Sequence, residues 1–214
     1  MEAVILDMDG VLVDSEPLHL EAANKILAVY GVELSEAENA AYLGMDDVDF
    51  FSALKANFGL QENLDDLVSA RQQAVIALIR EGVVPRPGVP ELIVGLKMRG
   101  LPMALGSSSP RVVVEAMLDE LGLANSFNAV VTGDDVAGGK PAPHIFLLAA
   151  QRLGVAPADC IVFEDSLHGL RAARDAGMTP LAVRTRENCH LELHDAERVY
   201  DGLDRFDWAY LEDR

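Results

Sequence analysis

At 214 residues, half of them apolar, the chain can form one well-cored globular domain with an insertion, or two small domains. Its formal charge of -18 argues against a nucleic-acid backbone or an anionic membrane surface as partner, because either would be repelled. The same charge suits a soluble enzyme that uses a divalent cation.

The first predicted element is a strand over the apolar run Ala3, Val4, Ile5 and Leu6. It leads directly into Asp7-Met8-Asp9-Gly10, which sets two carboxylates two residues apart at a strand end. Ligands bind at such ends in a doubly wound sheet. Successive strand side chains point to opposite faces, but a chain leaving its strand at a Gly-assisted turn brings both acids to one mouth. A solvated acidic turn is the alternative.

Over 16–81 the pattern is helical, with no convincing strand. Leu20, Ala23, Leu27 and Tyr30 share one face, and Gly31 follows as a stop. Further helices are predicted over 35–42, 47–58 and 63–80, ending near Gly82 and the Pro85-Arg86-Pro87-Gly88 turn. This is an all-helical insertion over 15–84.

From Val89 helix and strand alternate: helix 89–99, strand 101–105, helix 112–121, strand 129–132, helix 144–153, strand 161–163, helix 167–176 and strand 180–183. Such alternation implies an α/β fold, a doubly wound parallel sheet with helices on both faces that strand one joins. The core therefore comprises 1–14 and 85–214, with a short closing helix expected over 205–211.

Cys160 lies in an apolar stretch and Cys189 in a polar one, so neither a disulfide framework nor metal-ligand spacing is visible. Both read as free thiols in a reducing compartment. Glu2 and an early Asp stand where a leader needs a basic region, and no run approaches the ~20 apolar residues of a spanning helix. A cytoplasmic protein is expected, and a monomer, because no sequence feature identifies an association surface.

Three more signals fall at predicted strand ends or in the loops that follow. Gly106-Ser107-Ser108-Ser109-Pro110 offers hydroxyls and backbone N–H groups to an anion, or caps a helix. Gly138-Gly139-Lys140-Pro141 holds a lysine in a tight loop, either to neutralise phosphate or as a solvated turn. Glu164-Asp165-Ser166 follows the apolar Ile161-Val162-Phe163 and offers oxygen ligands to magnesium, unless Asp165 only caps a helix. Chance capping explains each singly but the set poorly, since all fall on one edge of one sheet.

With these residues in order, the chain resembles the haloacid dehalogenase superfamily over its whole length. The resemblance is most specific in Asp7-Met8-Asp9-Gly10-Val11-Leu12-Val13-Asp14-Ser15, Gly139-Lys140-Pro141-Ala142-Pro143 and Glu164-Asp165-Ser166. It looks most like the branch that contains β-phosphoglucomutase and sugar-phosphate phosphatases, which makes the core Rossmann-like and the helical insertion a cap.

The resemblance implies Asp7 as nucleophile, forming an aspartyl-phosphate, and Asp9 as general acid and then base. It implies magnesium held by Asp7, the backbone carbonyl of Asp9 and Asp165, with Glu164 ligating directly or through water. Ser107 and Lys140 would bind phosphoryl oxygens, with Gly10 and Ser108 lining the same phosphate site. Dehalogenases of the superfamily do not need Asp9, Glu164 and Asp165, so that activity is disfavoured. A receiver-type phospho-switch also joins acids, a hydroxyl and a lysine, but its phosphorylated Asp follows a middle strand and no long helical insertion is expected.

The cap is expected to choose the substrate and to move. Its loop Leu43-Gly44-Met45-Asp46-Asp47 carries a cation in β-phosphoglucomutase, and here the corresponding position is Asp47. No base lies near it in sequence, so a second phosphate would be repelled and a mutase is disfavoured, although Lys55, Arg71 or Arg80 could fold in. Helix capping is the alternative role for Asp46 and Asp47. His19 matches a histidine that couples cap closure to catalysis in the mutase, but similar phosphatase sequences make it a poor discriminator. The expectation is a magnesium-dependent phosphatase of a small phosphate ester, a sugar or polyol monophosphate, with a β-phosphoglucomutase-type mutase as alternative.

Overall fold

The computed structural model describes residues 1–42 and 45–212. Its contacts divide the chain into two units, Met1–Asp14 with Val83–Arg214, and Ser15–Gly82. Among the described residues the first unit holds one six-stranded sheet. Its strands are β1 (Ala3–Leu6), β2 (Met103–Gly106), β3 (Ala129–Val131), β4 (Cys160–Glu164), β5 (Thr179–Val183) and β6 (Arg198–Tyr200). The order is β3-β2-β1-β4-β5-β6, with every neighbouring pair parallel. The second unit holds α1 (Glu16–Leu27), α2 (Glu36–Asn39), α3 (Asp47–Phe58) and α4 (Leu64–Glu81). The first continues with α5 (Val89–Met98), α6 (Arg111–Glu120), α7 (His144–Leu153), α8 (Leu167–Asp175) and α9 (Ala209–Glu212). No helix of the described residues is long and apolar enough to cross a membrane.

β1, β2 and β4 are buried throughout, as expected of parallel strands covered on both faces, and this is why they read as unbroken apolar runs. On one face Ala3, Ile5, Ala104 and Val162 pack against Ile145, Phe146 and Ala149 of α7 and Ala172 and Ala173 of α8. Phe163, pointing the other way, meets Phe206 edge-on at 5.2 Å. β2 and β4 lie on opposite sides of β1, so the connections diverge there and leave a crevice at the carboxyl ends of β1 and β4.

The structure corrects three sequence expectations. A sixth strand follows the predicted last one; it is three residues long with Arg198 and Val199 exposed, so it carries no apolar run to detect. The helix expected over 35–42 is α2 continued by a 3-10 turn at Ala40–Tyr42. The closing helix over 205–211 is a 3-10 turn at Leu203–Arg205 and the short α9.

In the helical unit Ala23, Leu27, Phe50, Phe51, Leu54 and Leu67 form a core, with Leu20 and Tyr30 packed against it. Its helices α2, α3 and α4 begin where short polar side chains satisfy the free N–H groups of a first turn. Ser35 and Glu38 form a capping box, Asp46 accepts from Asp49 N at 2.8 Å, and Asn63 accepts from Asp65 N at 2.8 Å.

Candidate active site

The last ladder bond of β1 places the site. Asp7 N donates to Phe163 O at 3.0 Å, so Asp7 stands beside Glu164 at the carboxyl edge of the sheet. Met8 is fully buried between Asp7 and Asp9, and the chain then turns through Gly10 at φ +74°. A Cβ at Gly10 would lie 2.0 Å from Asp165 Oδ2, so this glycine makes room for an acid from the neighbouring strand.

Lys140 ties the cluster together. Its Nζ donates to Asp7 Oδ1 at 2.7 Å and to Glu164 Oε1 at 2.6 Å, with only 8% of the side chain exposed, so it is not a solvated turn lysine. The loop leading to it is anchored by Asp135, which accepts from Thr132, Arg111 and Arg152. The Arg152 guanidinium is the main cause that holds the Asp135 carboxyl well below the usual range.

Glu164 has no exposure, and its second oxygen accepts from Asp165 N, Ser166 N and Ser166 Oγ at 2.8, 2.8 and 3.0 Å. Ser166 is also the cap of α8, accepting from Gly169 N, which leaves the Asp165 carboxylate out of the capping role. A Cβ at Gly169 would lie 1.7 Å from Glu164 Oε1.

At the end of β2, Ser107 is fully buried and its Oγ accepts from Ser109 N at 3.1 Å. Ser109 Oγ in turn donates to Asp9 Oδ2 at 3.0 Å. The cap of α6 is Pro110, with no side-chain capping bond, so the serine run is not an ordinary helix cap. Ser108 is exposed.

One ammonium faces several acids here, and the protonation equilibria show it. Burial raises the Asp7 carboxyl well above its usual range against the pull of Lys140, with Glu164, Asp9 and Asp165 adding to the rise. Burial and then Glu164 push Asp165 up to about 8, opposed by Lys140 and Arg86. Burial works against the Lys140 charge, but Asp7 and Glu164 outweigh it and keep the lysine above its ordinary value. Asp7, Glu164 and Asp165 each offer an oxygen within 4.8 Å of the others. A buried, oxygen-only set short of positive charge is chemically suited to a hard divalent cation.

Two sequence candidates belong to the helical unit. His19 lies in the first turn of α1, its N–H bonded to Ser15 O at 3.0 Å. Asp47 opens α3 and accepts from Arg71 Nη1 at 2.5 Å, while the Arg71 guanidinium stacks 4.3 Å over the Phe50 ring. Arg71, one of the three bases that could fold in, pairs with Asp47 from 24 residues away, on α4. Asp46 is the helix cap, and Leu43 and Gly44 of that loop lie outside the described residues.

Sequence reasoning missed Gly169 and Asn188, and did not single out Ser109 within its serine run. Asn188, only 4% exposed, donates through Nδ2 to Asp165 O at 2.7 Å. Of the two missed residues, Gly169 had a local signal, a glycine in the first turn after an acid pair.

A family profile for haloacid dehalogenase-like hydrolase matches residues 1–177. The chain belongs to the haloacid dehalogenase-like hydrolases. That match includes every residue of the cluster from Asp7 to Asp165 and stops short of Asn188. Within the family, the chain is 39% identical over 184 residues to fructose-1-phosphate phosphatase YqaB of Escherichia coli K12, which covers 85% of this chain and 95% of that one. Its fold matches CbbY from Rhodobacter sphaeroides in complex with phosphate at a TM-score of 0.90 and 29% identity, over 99% of both chains. It also matches a β-phosphoglucomutase from Clostridium difficile at 0.84 and 25% identity, over 100% of this chain and 96% of that one.

Proposed function

We propose that this haloacid dehalogenase-like hydrolase is a magnesium-dependent cytoplasmic phosphatase, active as a monomer on a sugar or polyol monophosphate through an aspartyl-phosphate. The observation that carries this reading is Lys140 joining Asp7 to Glu164 inside a buried acid cluster. The named activity of the Escherichia coli relative supports a sugar monophosphate.

In this reading the Asp7 carboxylate attacks phosphorus in line, and the bond to the leaving oxygen breaks as Asp9 gives that oxygen a proton. A water then attacks the phosphoryl group, Asp9 takes its proton, and inorganic phosphate leaves with Asp7 restored. Ser109 holds Asp9 Oδ2 at 3.0 Å, which orients the acid for both transfers. Ser107 and Lys140 stabilise the phosphoryl oxygens as charge develops, with Gly10 and Ser108 beside them. Asp7, Asp165, Glu164 and the Asp9 carbonyl would hold magnesium, whose charge would offset the repulsion between a carboxylate and a phosphate dianion.

The likeness to β-phosphoglucomutase favours a second reading, a phosphosugar mutase. A mutase needs a cation for the non-reacting phosphate. Arg71 is engaged by Asp47 and Phe50, and the resulting neutral pair, with His19 in the same unit, suits hydroxyl groups better than a second phosphate.

Phosphate release from a panel of monophosphates, with magnesium and with EDTA, tests the proposal. The panel includes β-glucose 1-phosphate with a trace of the bisphosphate. Magnesium-dependent release is the expected result. Isomerisation to glucose 6-phosphate without release would replace the phosphatase by the mutase.

A further inference from the structure

The loop that follows β5 is bound to the acidic loop that follows β4 through one buried amide. Asn188 Nδ2 uses both hydrogens, donating to Asp165 O at 2.7 Å and to Val183 O at 3.0 Å. Its Oδ1 accepts from Thr185 N at 3.0 Å, and its own N–H donates to Thr185 Oγ1 at 3.2 Å. Arg184 Nη1 donates to Asn188 O at 2.8 Å, and Arg86 Nη2 donates to Arg184 O at 2.7 Å. Asn188 is therefore held by its neighbours before it holds anything else.

The peptide it grips joins Asp165 to Ser166. That unit is planar, so its carbonyl and its N–H turn together. Asn188 holds the carbonyl, and Glu164 Oε2 accepts from the Ser166 N–H at 2.8 Å. Pinning both ends sets how Asp165 leaves the strand and keeps Glu164 facing Lys140. A buried carbonyl that lost its donor would turn to find another, and the carboxylate on the same residue would turn with it.

We infer that Asn188 is a positioning residue for the acidic pair Glu164 and Asp165, acting through the Asp165–Ser166 peptide to preset the oxygens that take a divalent cation. The inference rests on the magnesium-dependent reading above. It concerns a residue outside the span of the family match, and the bonds that carry it come from side chains and peptides of the core unit alone.

The test is calorimetric titration of magnesium into the full chain without substrate, native against Asn188→Ala, with far-UV circular dichroism to compare folded content. Loss of an outer partner costs about tenfold to a hundredfold in metal affinity, and the expected weakening for Asn188→Ala is about tenfold. In turnover assays the half-saturating magnesium rises by the same factor, while KM for the phosphate ester at saturating magnesium stays as in the native chain. A folded variant with native magnesium affinity overturns the inference. Should Asn188→Ala not accumulate as folded protein, Thr185→Val decides: it keeps the shape of Thr185 but removes the acceptor behind Asn188 N. Magnesium affinity weakened about threefold then supports the inference, and native affinity overturns it. A native chain that binds no magnesium overturns the metal reading and this inference with it, an outcome distinct from native binding that the variants leave unchanged.

Discussion

Gly169 lies so close to Glu164 that a methyl group on it would sit 1.7 Å from Oε1. Glu164 cannot yield without breaking its bonds to Lys140, Asp165 N and Ser166 N. Gly169→Ala is therefore expected to cost about 1–3 kcal/mol, as overpacking does, and to lower turnover as well. Urea unfolding of the two proteins measures the first effect. Equal midpoints would mean that the carboxylate has room the structure denies it.

Asp7→Asn keeps the shape of the side chain and removes the proposed nucleophile. Turnover is expected to fall by roughly a thousandfold or more, about 4 kcal/mol of barrier. Steady-state phosphate release checks this, and near-native turnover removes Asp7 as nucleophile.

Stability should depend on pH in an unusual direction when metal is withheld. Asp165 moves from 3.8 unfolded to about 8 folded, and Asp7 is shifted the same way, so the folded chain binds the more protons between those values. This contribution is present in full below the unfolded pKa and is lost as pH rises through the folded one. In EDTA, the thermal midpoint of the native chain is expected to decline from about pH 5 to about pH 8, and more steeply than that of Asp165→Asn. On the proposed magnesium-dependent reading, magnesium should oppose the decline, because the deprotonated acids would be the form that binds it. Identical slopes for native and variant would refute this account.

In the helical unit, Arg71→Met removes the partner of Asp47 and the cation above Phe50. The expected cost is about 2 kcal/mol, below that of a fully buried pair because Asp47 keeps 27% of its side chain exposed. Two compensations limit it further: Met fills the same space, and the Arg71 Nε, buried without a hydrogen-bond partner among the described residues, is gone. Chemical denaturation of both proteins is the measurement, and a cost under a few tenths of a kcal/mol would show that the ion pair is incidental.

The sheet was legible because β1, β2 and β4 are buried on both faces, and such strands have no alternation to misread. β6 was not, since an exposed edge of three residues leaves no pattern. The meeting of Asp7, Lys140, Glu164 and Asp165 followed from their places at strand ends and in the loop after β3. What surrounds them did not: Asn188 reaches Asp165 across 23 residues, and Arg71 reaches Asp47 across 24. Neither distance matches a local period, so only the folded chain brings these partners together. Ser109 was in view as part of a serine run, but nothing in the run distinguishes the hydroxyl that bonds Asp9 from its two neighbours.

The strand that carries Asp7 is made before the other strands of its sheet and gains its second neighbour only when β4 is made. Val4 pairs with Met103 on one side and with Ile161 on the other, so during synthesis β1 emerges with neither partner yet in existence. The contiguous segment Ser15–Gly82 has its whole core available long before that. Until β4 is released, the nascent chain therefore has a hydrophobic strand, running into Asp7, waiting for a place in the middle of an unfinished sheet.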